Sequence, residues 1–298
     1  MKIHTPMLRS RHKDLHPLLK IVEWLIIMAV CVLPVFGIWH VLPINHASTG
    51  SLLLLQAMQA VALFILPPFV VAYLWSDRPL QWLHLTTDKH TPLDPGLACL
   101  TVGIILTAVP LINSLVALNG LVRLPASMSG LEQMMQQMET QAEQLLQGFL
   151  TYRNGAWWVL VLNLVLLAIL PAIGEELTFR GVLQSFFGNR HVAVWVTAFV
   201  FAFVHFQFYG FIPRMLLGVV LGYALVWSGR IGYSMIMHAT NNALSVIVFW
   251  LSTYVLHIPQ AELDSLGTGH TWWLTAACTP VMLLLMYLYH KRASAKKE

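Results

Sequence analysis

The sequence predicts an all-α protein, a polytopic transmembrane helical bundle of about eight spans with its N- and C-termini cytoplasmic. Three observations carry that reading. Of 298 residues, 57% are hydrophobic and only 10% charged, whereas soluble domains carry about 25% charged residues. Mean hydropathy is +0.68. Apolar stretches recur near 18–42, 52–75, 96–118, 156–176, 191–209, 213–228, 233–256 and 271–290, most of them close to the ~20 residues a helix needs to cross hydrocarbon.

The first stretch follows a basic N-terminus, as a signal peptide would, but it is too long for an h-region and lacks a small-x-small cleavage site, so it reads as a retained anchor. Residues 1–118 form an N-terminal three-span region with an inner loop from Ser76 to Pro95. Residues 119–155 form an extracytoplasmic segment. Within it Leu131, Met135, Met138, Ala142, Leu145 and Phe149 recur at spacings of three and four, while Glu132, Gln136, Glu139 and Glu143 occupy other faces. That pattern describes an amphipathic helix. Its acidic face is not drawn to anionic lipid, so it fits a connecting cover, a lid or a homo-oligomer contact. Residues 156–256 hold four helices, the sixth stretch being the shortest, with Gly218 and Gly222 spaced for close helix packing. Residues 257–298 hold the last span and a basic tail.

With both termini inside, fourteen of the 17 Lys and Arg fall on the inner side and only Arg123, Arg153 and Arg214 outside. An even number of spans therefore satisfies the positive-inside rule. The net charge of +4 reports topology. No phosphate-cradling loop or basic-aromatic interleaving argues for nucleic acid, so the partners are membrane lipids and a membrane-associated protein or peptide. Cys31, Cys99 and Cys278 lie in apolar runs without CxxC spacing, which argues against disulfides and thiolate metal sites.

Chemistry concentrates at Glu175-Glu176-Leu177-Thr178-Phe179-Arg180-Gly181, directly after an apolar run. A charged side chain near a helix centre costs roughly 2.5 to 3.5 kcal/mol on insertion scales, so three within six residues need internal partners or a task. Glu176 and Arg180 share a helix face. Glu175 is rotated by about 100° toward another helix. Two further pairs lie in apolar stretches at i and i+4: Phe201 with His205, and His238 with Asn242. Gly188-Asn189-Arg190 supplies a turn from which Glu175 and His205 are about equally far, roughly 21 Å, while His238 lies about 12 Å from the Gly229-Arg230 turn. The three side chains come level on that reckoning.

Glu175 with His205 could then activate a water, and His238 with Asn242 could donate to a developing oxyanion, making these four the catalytic candidates. Glu176 and Arg180 support them. No cofactor is favoured, although Glu175, His205 and His238 could hold zinc with an open fourth position. The HExxH arrangement is absent. No Asp lies in a span to form an aspartyl dyad, and no GxSxG elbow is present. A non-enzymatic alternative is a proton relay or substrate site in transport, yet residues 1–150 and 151–298 show no internal repeat.

The ordered trio Glu-Glu-x-x-x-Arg at 175–180, Phe-x-x-x-His at 201–205 and His-x-x-x-Asn at 238–242 resembles the CPBP family. That family comprises type II CAAX prenyl endopeptidases and bacteriocin-processing enzymes, also called Abi. The resemblance covers about Gly155 to Trp250. It implies a membrane-embedded endopeptidase in which Glu175 activates water with His205, His238 and Asn242 stabilise the oxyanion, and Glu176 and Arg180 support the site. Members have been described both as metalloproteases and as glutamate-dependent proteases. The expected location is a bacterial cytoplasmic membrane.

Overall fold

The computed structural model describes residues 10–87 and 91–296. Lys2, Arg9, Lys89 and Lys297 of the charge count lie outside them. The protein is 82% helical, and the described residues contain no strand. In chain order the helices of ten residues or more among the described residues are α1 Pro17–Val41, α2 Thr49–Trp75, α3 Pro95–Asn119, α4 Ser129–Leu150, α5 Trp157–Phe186, α6 Arg190–Phe203, α7 Phe208–Ser228, α8 Ile231–Leu256 and α9 Gly269–Ala295. All but α4 and α6 are long and apolar enough to cross a membrane. Their outward faces carry exposed Leu, Ile, Val and Phe, as lipid contact requires. The chain is an integral membrane protein.

Three expectations change. The fourth stretch continues ten residues past 176 to Phe186. The stretch expected to be shortest begins at Phe208 and runs for 21 residues. The short one is α6, whose 14 residues reach only about 21 Å. It still joins the two ends of the bundle. At one end Trp75 meets Phe186 at 5.8 Å, Arg230 Nη1 donates to the Thr91 carbonyl, Arg292 binds Asp94, and the His12 amide donates to the Leu74 carbonyl. At the other end Asn119 Nδ2 donates to the Phe208 carbonyl and Asn119 Oδ1 accepts from the Ile212 amide, each at 2.9 Å. The non-helical residues 204–207 complete the traverse, so both described chain ends lie at the same end of the bundle.

Irregular backbone at membrane depth survives only where protein or an aqueous cavity surrounds it. Here α4 supplies part of the cover, since Glu139 Oε2 accepts from the Tyr209 amide at 3.4 Å. Phe206 has φ 53°, a left-handed conformation that is a genuine outlier for a bulky residue. The expected amphipathic face of α4 is only partly inward. Phe149 is buried and Met135, Met138 and Ala142 are half-buried, but Leu131 and Leu145 are exposed and Glu139 is half-buried.

Prolines shape the two helices that frame the site. Ala60–Ile65 in α2 and Leu164–Ile169 in α5 form widened i→i+5 turns just before Pro67 and Pro171, which lack an amide to donate. A third widened turn, Leu177–Val182, follows Glu176 directly. Helix α5 approaches α2 closely at Gly174, where a Cβ would lie 2.7 Å from Phe64 Cβ. One turn on, Thr178 Oγ1 donates to the Phe64 carbonyl at 3.0 Å. One apolar cluster joins α3, α7, α8 and α9 around Ile104, Leu221, Met237 and Tyr289. A second joins α1, α2 and α5 around Trp24, Val71, Trp75 and Leu177.

Candidate functional site

Glu176 on α5, with no exposed surface, faces inward. Its Oε1 accepts from Arg180 Nη1 at 2.8 Å and pairs with His238 Nδ1 on α8 at 2.9 Å. Arg180, 1% exposed, has a further donor on the Gly218 carbonyl at 3.2 Å and lies 4.5 Å above the Phe201 ring. The expected i, i+4 ion pair therefore forms, and it fastens α5 to α7 and α8. Gly218 and Gly222 do pack: a Cβ on either would lie 3.0 Å from Ala198 or Val194 of α6.

Glu175 turns the other way, as its 100° rotation predicts. Its Oε2 lies 3.9 Å from His205 Nε2 and 3.8 Å from His238 Nε2. That oxygen is buried and makes no hydrogen bond within the chain, an exception for a buried carboxylate. His205 stands just beyond the C-terminus of α6, in the irregular segment and outside any span-length helix. Its Nδ1 is 2.6 Å from the Phe201 carbonyl. A carbonyl only accepts, so Nδ1 carries the proton and the Nε2 lone pair faces Glu175 in the neutral ring. His238 Nδ1 is likewise committed to Glu176. The Phe201 ring sits against both imidazoles, at 4.8 and 5.7 Å. Access is from the His205 side, since the His205 and Glu175 side chains are 28% and 16% exposed against 5% for His238.

Asn242 lies one turn beyond His238 on α8 and is half-buried. Its Oδ1 accepts from Asn241 Nδ2 at 3.2 Å, which leaves its own amide N–H groups as donors. No hydrogen bond ties it to Glu175, His205 or His238.

Donors in a tetrahedral zinc shell at 2.0–2.1 Å stand about 3.4 Å apart. The 3.8 and 3.9 Å separations are wider, and among the described residues no three His, Cys, Asp or Glu are grouped to hold a metal. As placed, the residues do not fit zinc. The spacing suits a group hydrogen-bonded between a carboxylate and two imidazoles.

Two residues near this cluster escaped sequence reasoning. Arg214, in the first part of α7, donates from Nη1 and Nη2 to the Gln207 carbonyl and Oε1 at 3.1 and 2.7 Å. Glu139 reaches Tyr209 from α4. Burial pushes its carboxyl above the ordinary range, against the opposing pull of the Tyr209 amide and the Arg214 charge. Their spans were legible, but the 204–210 segment that brings them together was not.

Fold and site together define a polytopic helical membrane protein with a buried Glu–His–Arg cluster at the meeting of α5, α6 and α8. Residues 156–244 match the family described as type II CAAX prenyl endopeptidase Rce1-like, a stretch that takes in all three motifs. The chain is also 31% identical over 86 residues to the uncharacterized protein YpbD of Bacillus subtilis (strain 168), covering 28% of this chain and 43% of that one. This chain thus spans less than half the length of that relative. No solved structure matches the chain.

Proposed function

We propose that this protein is an intramembrane endopeptidase that hydrolyses a peptide bond of a membrane-associated protein or peptide. The observation that carries the reading is the buried, unpartnered Glu175 Oε2 facing His205 Nε2 at 3.9 Å and His238 Nε2 at 3.8 Å, within the stretch that matches the prenyl endopeptidase family. Water held between Glu175 and His205 loses a proton to the carboxylate while its oxygen attacks the peptide carbonyl carbon. His238, when both ring nitrogens carry protons, donates Nε2–H to the oxyanion while its Nδ1–H stays on Glu176. Asn242 supplies a second N–H. Such donors are worth about 3 to 4 kcal/mol in favourable cases. The proton taken from water passes to the leaving amine as the C–N bond breaks.

The chemistry is that of glutamate-activated water with no metal. The zinc reading uses Glu175, His205 and His238 and would need them to draw together. Purified, reconstituted wild type, Glu175→Gln and His205→Ala proteins assayed on a peptide library, with elemental analysis alongside, test both readings. Loss of cleavage in both variants without stoichiometric zinc is the expected result. Cleavage that survives both substitutions defeats the roles. Zinc at one per chain, lost with activity in His238→Ala, moves the chemistry to the metal.

A further inference from the structure

The irregular segment after α6 brings a second charged group beside the Glu175 cluster. Arg214 uses two of its five N–H donors on Gln207, the residue two along from His205. Arg214 forms no ion pair of 4.0 Å or less among the described residues. Gln207 lies between His205, two residues before it, and Tyr209, two residues after it, whose amide donates to Glu139 of α4. Arg180, the other guanidinium nearby, is 1% exposed and already committed to Glu176 and Gly218. Arg214 is half-buried, and its bonds to Gln207 fix the fork next to the more open, His205 side of the site.

A fixed guanidinium with free donors in a poorly hydrated place recognises a carboxylate, because two parallel N–H bonds match its two oxygens. The protein already brings one such group close. Glu139, on the helix covering the segment, accepts from the Tyr209 amide at 3.4 Å, two residues along from the Gln207 that holds Arg214.

We propose that Arg214 is a specificity residue that binds a carboxylate of the peptide substrate, and that Glu139 of α4 competes for it in the substrate-free protein. The proposal rests on the endopeptidase reading. The substrate carboxylate has two sources, the free chain terminus or an acidic side chain near the scissile bond. In either case recognition occurs on the His205 side of Glu175, and α4 yields as substrate enters.

The test uses full-length protein in lipid nanodiscs and matched peptide sets: free C-terminus against C-terminal amide, and Asp or Glu against Asn or Gln. For wild type, one of the two neutralisations lowers kcat/KM at least tenfold, mainly through KM, and identifies the source. Arg214→Gln abolishes that discrimination, whereas Arg214→Lys keeps part of it. Glu139→Gln, which leaves the Gln207 bonds intact, lowers KM for carboxylate-bearing peptides alone. Indifference of wild type to both neutralisations overturns the proposal, as does undiminished discrimination in Arg214→Gln. If no peptide is cleaved, the endopeptidase reading fails by itself. Fluorescence-anisotropy binding of the labelled sets to wild type and Arg214→Gln then decides the Arg214 role, with equal binding of charged and neutral peptides overturning it.

Discussion

His238 Nδ1 lies 2.9 Å from Glu176 Oε1, the same oxygen that takes Arg180 Nη1 at 2.8 Å. One carboxylate oxygen therefore both compensates a buried guanidinium and orients an imidazole from another helix. Removing one partner of a buried pair leaves the other charge uncompensated, at a cost of about 3–5 kcal/mol. Glu176→Gln is accordingly expected to lower the melting temperature in detergent sharply, with Glu175→Gln losing less because Glu175 Oε2 makes no hydrogen bond and its nearest imidazole nitrogens stand 3.8 and 3.9 Å away. Equal melting of Glu176→Gln and wild type would show that the shared oxygen is not holding α5 to α8.

Both histidines should act on the rate of the chemical step. On the endopeptidase reading His205, whose Nε2 lone pair faces Glu175, would assist proton removal, a contribution of roughly 10²–10⁴-fold. On the same reading His238 would act on the oxyanion, and loss of one such donor costs about 10²–10³-fold in kcat. Both losses should appear in kcat with little change in KM, since neither residue holds the ground-state peptide. Single-turnover rates of His205→Ala and His238→Ala on one cleaved peptide check this. A change confined to KM would recast them as substrate-binding groups.

Much of this site was legible in the sequence because helices have a fixed period. Glu176 pairs with Arg180 at i, i+4 and Glu175 turns away from that pair, both consequences of 3.6 residues per turn, while the rise of 1.5 Å per residue brought His205 near their level. What periodicity could not reveal is the break after Phe203. Val204-His205-Phe206 continues the apolar run, and nothing in those residue types announces the positive φ of Phe206. Gly210 and Pro213 were the available breaker signals. Arg214 and Glu139 were missed for the same reason: the contact of α4 with the 204–210 segment depends on a tertiary fit between a helix and irregular backbone, whereas α4 by itself reads as an acidic amphipath.

Gly174 sets how deeply Glu175 is carried into the bundle. A Cβ there would meet Phe64 Cβ at 2.7 Å and the Phe64 carbonyl carbon at 3.3 Å, and backbone cannot move aside as a flexible side chain does. Inserting bulk at such a contact costs about 1–3 kcal/mol. Gly174→Val is expected to push α5 from α2, lowering both melting temperature and kcat while every site residue is retained. Normal activity in this variant would mean that Glu175 does not depend on the α2–α5 approach.

The link between the chain's C-terminal helix and α3 should be sensitive to acid. Asp94 Oδ1 caps α3 by accepting from the Leu97 amide at 2.9 Å, Arg292 Nε and Nη2 reach its two oxygens at 3.1 and 3.2 Å, and Lys296 pairs with it as well. The Lys296 ammonium, the Leu97 amide and Arg292 hold its carboxyl well below the ordinary carboxylate range. A carboxyl depressed in the folded state binds fewer protons there than in the unfolded chain. Its stabilisation is complete above the unfolded value near 3.8 and disappears as pH falls through the lower folded value. Asp94→Asn keeps the cap oxygen and loses the ion pairs. Because the Arg292 and Lys296 side chains are about half exposed, the pairs are partly screened, and the gap in melting temperature at neutral pH should be at most a few degrees. It should shrink in high salt and narrow progressively as pH falls below 3.8, as read from melting curves of both proteins across pH. A gap that persists unchanged at low pH and in 1 M salt would assign the effect of the substitution to the helix cap instead of the charges.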